Sequence, residues 1–311
     1  MRILSIQSSV AYGYVGNSAA TFPLQRLGHE VWPVLTVHFS NHTGYGNWRG
    51  AVLDPGVVGE VIDGIADRGV LGTADAVLTG YQGSTGVSAV VLDAVARVRA
   101  LNPAAVYCCD PVMGDVGRGF FVAPGIPELI RDTVVPVADI VTPNAFELAY
   151  LAGLPGSPGE QPEGGFDAAA GSAPVFDPSR YDPTPFASSA AVVAAAEVVR
   201  AKGPRTVLVT SVEYPALDGR IGMIAVGEAG ALEVSTPRLP ISVNGAGDVT
   251  AALFLAHLMT VGLESALART ASTVYAILQE TVRAGAREIR LVAAQQSIAE
   301  PACEFEVRRI G

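Results

Sequence analysis

Charged residues are scarce in this chain of 311 residues. Asp, Glu, Lys and Arg make up 16% of it, against about a quarter in an average soluble protein. The 30 acidic side chains outnumber the 20 basic ones, and no run of Lys or Arg interrupts the sequence. This balance argues against nucleic acid and anionic lipid as partners. A small-molecule ligand is therefore the better expectation. Hydrophobic residues reach 50%, which excludes a disordered chain.

Uninterrupted apolar runs are missing as well. Two long apolar stretches contain polar residues, His257 in one and Glu197 in the other, so neither is expected to span a bilayer. The N-terminal segment reaches Gln7 too early to form the apolar centre of a signal peptide. We therefore expect a cytoplasmic protein with no membrane attachment.

Cysteines are few and form no metal-binding spacing. Cys108 and Cys109 are adjacent in an apolar run, and Cys303 stands alone. Adjacent cysteines in such a run are typical of a buried strand rather than of a redox pair. With an odd number of cysteines and no export signal, we expect no structural disulfide.

Short apolar runs alternate with longer amphipathic segments, which is typical of parallel strands joined by crossover helices in an α/β fold. Strands are predicted at Ile3–Gln7, Val31–Val37, Ala76–Thr79, Val106–Asp110, Ile140–Thr142 and Val207–Ser211. Helices are predicted at Ser18–Leu27, Val57–Asp67, Ser88–Leu101, Ile126–Val134, Ala145–Leu151 and Ser189–Ala201. An antiparallel pair, Ile221–Val226 and Leu232–Ser235, then precedes two long helices, Ala246–Val261 and Ser265–Ala284. We expect residues 1–311 to form one domain.

One segment has a different composition from the rest. Gly153–Ala187 contains six Gly and seven Pro in 35 residues and shows almost no apolar periodicity. Such an insert is predicted to be a long loop, and its composition favours disorder over a functional loop. Four aromatic residues within it leave open a second interpretation, in which the loop docks on the protein surface. They are Phe166, Phe176, Tyr181 and Phe186.

A glycine-rich turn leads directly into the first of the long helices. In Asn244–Asp248, the residues Gly245 and Gly247 lack Cβ atoms, so the backbone can approach a phosphate group closely. Exposed N–H groups and the helix dipole would add positive potential there. Asp248 is either an N-cap of that helix or the base that receives a proton in phosphoryl transfer. The sequence contains neither a P-loop nor a G-x-G-x-x-G pattern after its first strand.

Two further polar clusters follow predicted strands, at the edge where open parallel sheets bind ligands. One is Cys109–Asp115 and the other is Thr142–Glu147. Asp110, Asp115 and Glu147 can jointly hold a hydrated Mg²⁺, which favours a few carboxylates together with substrate phosphates. The plainer alternative is a strand end followed by a capping box.

Two other segments have a plain and a functional interpretation. Gly114–Gly119 contains Arg118 and is either an ordinary mobile turn or a flap that covers a triphosphate. His38 and His42 are four residues apart, but Ser40 and Asn41 between them predict a loop, so a lid is favoured over a metal pair.

Several segments occur in the same order as in pyridoxal kinases, which the chain resembles over nearly its whole length except 153–187. They are Ser5–Ser8, Gly13–Asn17, Phe39–Tyr45, Thr79–Tyr81, Cys109–Asp115, Thr142–Asn144 with Glu147, and Gly245–Asp248. The Phe39–Tyr45 run is much more specific than the glycine-rich turn. The resemblance implies a ribokinase-like three-layer sandwich with a central, mostly parallel sheet flanked by helices, and also a homodimer.

The resemblance also implies roles for individual residues. Those expected around pyridoxal are Ser8, Val15, Phe39, His42, Thr43, Tyr81 and Asp248. Those expected around ATP are Asp110, Asp115, Phe121, Thr142, Asn144, Glu147, Thr210, Ser211, Gly245 and Gly247, and the metal ligands would be Asp110, Asp115 and Glu147. The turn Gly245, Ala246 and Gly247 would bind the transferred oxyanions, with Asp248 as the base.

The activity implied is ATP-dependent phosphorylation of the 5′-hydroxymethyl group of pyridoxal, and of pyridoxine and pyridoxamine, in vitamin B6 salvage. Mg²⁺ and a monovalent cation such as K⁺ would assist. Two alternatives remain: a related kinase for hydroxymethylpyrimidine or a sugar, and a vitamin B6-binding regulator without catalysis. Two departures from the family are visible. Phe121 stands where many relatives have Tyr, and residues 235–242, expected near the adenine, match poorly.

Overall fold

A computed structural model describes residues 1–154 and 186–310. Its strands are β1 (Arg2–Tyr12), β2 (Glu30–Asn41), β3 (Gly50–Val52), β4 (Ala76–Thr79), β5 (Val106–Cys109), β6 (Gly114–Asp115), β7 (Gly119–Phe120), β8 (Ile140–Val141), β9 (Thr206–Val212), β10 (Arg220–Gly227), β11 (Gly230–Pro237) and β12 (Val307–Ile310). Its α-helices are α1 (Asn17–Arg26), α2 (Pro55–Asp67), α3 (Thr85–Leu101), α4 (Ile126–Leu129), α5 (Ala145–Ala152), α6 (Ser189–Arg200), α7 (Ala246–Val261), α8 (Leu263–Arg283) and α9 (Gln295–Ala299).

Ten of these strands form one sheet, in the order β12-β11-β10-β9-β8-β5-β4-β1-β2-β3. The six central strands, from β9 to β2, run parallel, and antiparallel strands complete both edges. Because side chains alternate across a strand, Leu4 and Ile6 pack with α2 to α6 while Ile3 packs with α1, α7 and α8. The result is the expected three-layer α/β sandwich with a mostly parallel central sheet.

Helix α7 lies in the core, and its first turn faces the carboxyl ends of the parallel strands. Every residue from Val249 to His257 is buried, which is typical of a helix surrounded by other elements. Helix α7 packs against α1 and α8 and shares a buried cluster with Ile3 of the sheet. This fixes where the glycine-rich turn lies.

All of the predicted strands and long helices are present, and the differences lie at their ends and in short elements. Strand β1 continues to Tyr12 and β2 to Asn41, so the loop predicted at Ser40 and Asn41 is wrong. Ladder hydrogen bonds between parallel neighbours extend both strands past polar residues that interrupt the apolar pattern. The helix predicted at Ile126–Val134 consists of α4 and a π-helical turn from Ile130.

The short elements β3, β6, β7, α9 and β12 have too few residues to show a periodicity. The long Gly/Pro-rich loop predicted at 153–187 falls almost entirely outside the described residues, although Phe186, at its end, is buried. Cys108 and Cys109 are buried in β5 without a disulfide, as predicted, and Cys303 is exposed and free. Within the described ranges, no helix is long and apolar enough to cross a membrane.

Candidate active site

A cleft of about 230 Å³ opens where the parallel strands end and α7 begins. Every site residue predicted from the sequence lines it: Ser8, Val15, Phe39, His42, Thr43, Tyr81, Asp110, Asp115, Phe121, Thr142, Asn144, Glu147, Thr210, Ser211, Gly245, Ala246, Gly247 and Asp248. The structure adds seven lining residues to that set: Val10, Val37, Val112, Gly114, Arg118, Val243 and Asn244. One cleft therefore joins all the predicted substrate, nucleotide and catalytic positions.

One end of the cleft is apolar and aromatic. The side chains of Val10, Val37 and Phe39 form a small buried cluster against which Tyr81 and Trp48 pack. The rings of Phe39 and Trp48 lie 6.0 Å apart between centroids. The hydroxyl of Tyr81 is buried and has no hydrogen-bond partner among the described residues, and burial raises its pKa to about 12. This end suits a flat, mostly apolar ring.

Ser8 lies beside this apolar end, at an irregularity in the pairing of β1 with β2. The register shifts between Gln7 and Ser9. There the side-chain amide of Asn17 donates to the carbonyl of Gln7 at 3.2 Å and to that of Val34 at 3.0 Å. A Cβ on Gly16 would lie 2.3 Å from the Ser8 Oγ. A glycine at this position is therefore needed for the start of α1 to approach the Ser8 hydroxyl.

The opposite end of the cleft is acidic. The Asp110 carboxylate, buried after β5, accepts a hydrogen bond of 2.9 Å from the Thr142 hydroxyl. Burial raises the pKa of Asp110 to about 8, with repulsion from Asp248 as a second cause. Burial also raises the pKa of Glu147, and the charge of Asp110 adds to that effect. Two buried carboxyl groups therefore disfavour each other's ionisation in the protein alone.

Glu147 has a structural role in addition to its position in the cleft. It forms a capping box with Asn144, and its Oε1 accepts a hydrogen bond of 2.8 Å from the backbone of Met113. The side chain of Asn144 donates to the carbonyl of Gly114 at 2.8 Å. The capping-box alternative from the sequence is thus correct, and it fixes the Glu147 carboxylate next to Asp110.

The donors at the acidic end fit a hard cation. They are carboxylate and hydroxyl oxygens, and no ion pair in the described residues neutralises Asp110 or Glu147. Among the described residues, no three His, Cys, Asp or Glu side chains come close enough to hold a metal by themselves. Asp115 bonds instead to the backbone of Val116, and burial raises its pKa. A cation here would need ligands from phosphate oxygens and water, as Mg²⁺ commonly takes.

The glycine-rich turn before α7 separates the two ends. Gly245 is the N-cap residue of α7 and has φ +87°. A Cβ at Gly245 would lie 1.8 Å from the carbonyl oxygen of Tyr14, so only glycine fits. Asp248, in the first helical turn, is not the N-cap. Burial raises the pKa of Asp248 to about 6, and the nearby backbone of Gly16 opposes part of that rise.

The segment Gly114–Gly119 connects the acidic end to this turn. It forms the short hairpin β6–β7, and Arg118 donates from its guanidinium to Asn244 Oδ1 at 3.0 Å. The same guanidinium lies 5.1 Å from the ring centroid of Phe121. Arg118 therefore brings positive charge to the cleft beside the turn, and its role as a flap over a triphosphate stays a prediction.

One residue beside the cleft, Glu288, had no signal in the sequence. Glu288 follows α8, and its Oε1 lies 2.9 Å from His42 Nε2 and 2.6 Å from the hydroxyl of Tyr45. His42 is buried, whereas His38 is exposed in β2, so the alternative of a metal pair does not hold. Glu288 is more than 240 residues along the chain from both His42 and Tyr45. Contacts between residues so far apart leave no local pattern in the sequence.

Comparison with known proteins agrees with this fold and cleft. The family model described as "pfkB family carbohydrate kinase" matches residues 93–285, which defines the class as a kinase of the ribokinase-like fold. The chain is 56% identical to pyridoxal kinase PdxY of Rubrobacter xylanophilus and 54% identical to pyridoxal kinase PdxY of Leifsonia xyli subsp. xyli. Both alignments cover 100% of this chain, with 98% of the first relative and 100% of the second.

A solved structure leads to the same family. Pyridoxal kinase from Leishmania donovani in complex with ADP and pyridoxamine matches with a TM-score of 0.84 at 26% identity, covering 100% of this chain and 99% of that one. The chain therefore belongs to the pyridoxal kinase family. The fold and the family implied by the sequence motifs are confirmed.

Proposed function

We propose that this chain transfers the γ-phosphoryl group of ATP to the 5′-hydroxymethyl group of pyridoxal, and also of pyridoxine and pyridoxamine. The product would be the 5′-phosphate. The observation that carries the proposal is the position of Asp248 beside the glycine-rich turn, in a cleft with an aromatic end and an acidic end. With the acceptor at the aromatic end and the triphosphate at the acidic end, the acceptor hydroxyl would meet the γ-phosphoryl group where the two ends join.

Asp248 is proposed to accept the proton of the attacking hydroxyl. Its pKa of about 6, raised by burial, leaves it mostly ionised at neutral pH while making it a better base than an exposed Asp. Phosphoryl transfer depends mainly on alignment and charge stabilisation. Asp248 therefore has to be held rigidly, and its place in the first turn of the buried helix α7 does this.

The turn Gly245–Gly247 is proposed to bind the oxygens of the transferred group. It opens α7, so its backbone N–H groups and the helix dipole favour negative charge there. Such preorganised donors typically contribute a few kcal/mol to the transition state. Arg118, held by Asn244 at 3.0 Å, adds a guanidinium that can bind phosphate oxygens.

Ser8 and Thr43 are proposed to hydrogen-bond the ring substituents of the substrate, with Val15, Phe39 and Tyr81 around the ring. On the nucleotide side the proposed residues are Asp110, Asp115, Phe121, Thr142, Asn144, Glu147, Thr210 and Ser211, all of which line the cleft. Asp110, Asp115 and Glu147 are the proposed carboxylate contacts of Mg²⁺, directly or through water, with phosphate oxygens completing its coordination because these three side chains do not form a metal cluster by themselves. When bound, Mg²⁺ would neutralise charge on the phosphates. A requirement for K⁺ remains a prediction.

The test is an acceptor panel with purified protein, Mg²⁺ and ATP. ADP release is followed with pyridoxal, pyridoxine, pyridoxamine, hydroxymethylpyrimidine or ribose, and pyridoxal 5′-phosphate is identified by its absorbance and mass. We expect ADP and 5′-phosphate in equal amounts with pyridoxal. Faster ADP release with ribose or hydroxymethylpyrimidine would instead support the alternative kinase. Pyridoxal binding without ADP release would support the non-catalytic regulator.

A homodimer is proposed on the family resemblance alone, and a cytoplasmic location remains the expectation drawn from the sequence. Light scattering after size-exclusion chromatography tests the first. A monomer mass at enzyme-assay concentrations would refute it.

A further inference from the structure

The Glu288 carboxylate joins three separate segments at the aromatic end of the cleft. Glu288 lies in the loop after α8 and is nearly buried. Its Oε1 lies 2.9 Å from His42 Nε2 and accepts a hydrogen bond of 2.6 Å from the Tyr45 hydroxyl. Its Oε2 accepts the backbone N–H of Tyr14 at 3.2 Å. The segments after β1 and after β2 are thus tied to a third one by a single side chain.

The carboxylate is closely surrounded on the side of β1. Gly13 has φ +94°, and a Cβ there would lie 2.3 Å from Glu288 Oε2. The next residue along the chain, Tyr14, has the carbonyl that packs against Gly245 in the glycine-rich turn. The backbone of Gly13 and Tyr14 is therefore closely packed, with Glu288 on Gly13 and the turn on Tyr14.

Arg287 holds the same region through separate contacts. Its guanidinium donates to the carbonyl of Gly44 at 2.8 Å and lies 3.8 Å from the ring centroid of Tyr45. The hydrogen bond to Glu288 is the main cause of a raised pKa at Tyr45. The helical turn Thr43–Tyr45, which carries a proposed substrate residue, is held by two neighbouring residues of opposite charge.

The contact with Glu288 also fixes the orientation of His42. A carboxylate only accepts hydrogen bonds, so the Nε2 of His42 carries a hydrogen and, in the neutral ring, Nδ1 is an acceptor. His42 lines the cleft, its side chain is 5% exposed, and Nδ1 is buried with no partner in the described part of the chain. The ring thus offers one unused acceptor at the aromatic end.

We propose that Glu288 is a positioning residue for the pyridine-binding end of the site. It touches no reacting atom and acts through His42, Tyr45 and the backbone of Tyr14. This inference rests on the proposed function, because it assigns a role in binding the substrate of that reaction. Glu288 would set the affinity for pyridoxal while leaving ATP binding, at the opposite end of the cleft, unchanged.

The variant Glu288→Gln tests this with minimal change in shape. Its amide keeps one acceptor oxygen and loses the negative charge. We expect KM for pyridoxal to rise about tenfold, because loss of a hydrogen bond to a charged group typically costs that much in affinity. KM for ATP should change by less than about twofold. Glu280→Gln is the matched control, since Glu280 forms an ion pair with Arg283 on the surface of α8 and with no other described residue, and it should behave as wild type.

A second variant keeps the test decisive if Glu288→Gln fails to fold. Tyr45→Phe removes one hydrogen bond and retains the carboxylate, and we expect a smaller rise in KM for pyridoxal with KM for ATP unchanged. An unaltered KM for pyridoxal in either folded variant, or equal changes in both KM values, would overturn the inference. Absence of pyridoxal-dependent ADP release in wild type and in Glu280→Gln would instead refute the proposed function.

Discussion

The carboxyl groups of Asp110 and Asp248 face the same cleft closely enough that the charge of Asp248 adds to burial in raising the pKa of Asp110 to about 8. A hydrogen bond from Thr142 opposes this rise only in part. The free protein therefore has an excess of carboxyl groups at one end of its site. Such an excess is costly in stability and is suited to a bound cation.

Asp110→Asn should stabilise the free protein at high pH. The pKa of Asp110 is raised from 3.8 in a model compound to about 8 when folded. Between about pH 4 and about pH 8 the carboxyl group is ionised in the unfolded chain but protonated in the folded protein. The free energy of unfolding therefore falls as pH rises through this range. At pH 8.5 we expect the melting temperature of the variant to be at least about 2 °C above that of wild type, which is the shift that about 1 kcal/mol gives in a large domain. At pH 4 we expect the two melting temperatures to be equal.

The same melting experiments, repeated with Mg²⁺ and ATP, provide the control. The ligands should raise the melting temperature of wild type more than that of Asp110→Asn, because the variant lacks one carboxylate at the acidic end. Equal melting temperatures of the two free proteins at pH 8.5 would show that the charge of Asp110 is already compensated.

Asp248→Asn should lose turnover and keep substrate binding. The amide has nearly the same shape but cannot take the proton of the attacking hydroxyl, and general bases typically contribute about 10²–10⁴-fold to rate. We expect kcat to fall within that range, while the dissociation constant for pyridoxal, measured by titration, stays within about twofold. Turnover close to that of wild type would exclude Asp248 as the base. Glu280→Gln serves as the surface control.

The pH profile follows from the same group. Burial raises the pKa of Asp248 to about 6, and only the ionised form can accept a proton. We expect kcat/KM to fall tenfold per pH unit as pH drops below about 6, since kcat/KM reports groups of the free enzyme. ATP also titrates in this range, so the residual activity of Asp248→Asn is the reference. An acid limb of equal slope in that variant would assign the titration to ATP.

The sequence predicted those parts of the site that depend on local backbone geometry. Gly245 is a glycine because a Cβ would meet the Tyr14 carbonyl, and the requirement is visible as a glycine-rich turn before a helix. The capping box of Asn144 and Glu147 is visible for a similar reason, since three-residue spacing on a helix is a local property. Both observations concern residues adjacent in the chain.

Long-range contacts were not predictable in this way. Glu288 lies 246 positions from His42 and 274 from Tyr14, and no periodicity links residues so far apart. Strand β12 was missed because its four residues, Val307–Ile310, are ordered by pairing with β11. The extended ends of β1 and β2 have the same origin, because their hydrogen bonds come from neighbouring strands rather than from an apolar pattern.

Gly245→Ala should disrupt the site, whereas Gly247→Ala should leave the fold intact. A non-glycine residue at the φ of Gly245, +87°, costs about 1–3 kcal/mol, and its Cβ would also lie 1.8 Å from the Tyr14 carbonyl oxygen. A Cβ on Gly247 meets nothing within 4 Å. Thermal unfolding should show a clear loss of stability for the first variant only. Equal melting temperatures for both would contradict the close approach of Tyr14.

Tyr81→Phe should stabilise the free protein or leave its stability unchanged. The Tyr81 hydroxyl is buried without a hydrogen-bond partner in the described ranges, and such a group costs about 1–3 kcal/mol. Tyr107→Phe is the matched comparison, because the Tyr107 hydroxyl is also buried but lies 2.9 Å from the Thr79 hydroxyl. It should lose about 0.5–1.5 kcal/mol in urea unfolding. If both variants lose stability equally, the Tyr81 hydroxyl has a hydrogen-bond partner in the free protein in solution. A rise in KM for pyridoxal in Tyr81→Phe would show that this hydroxyl also bonds to the ring substituents in the complex.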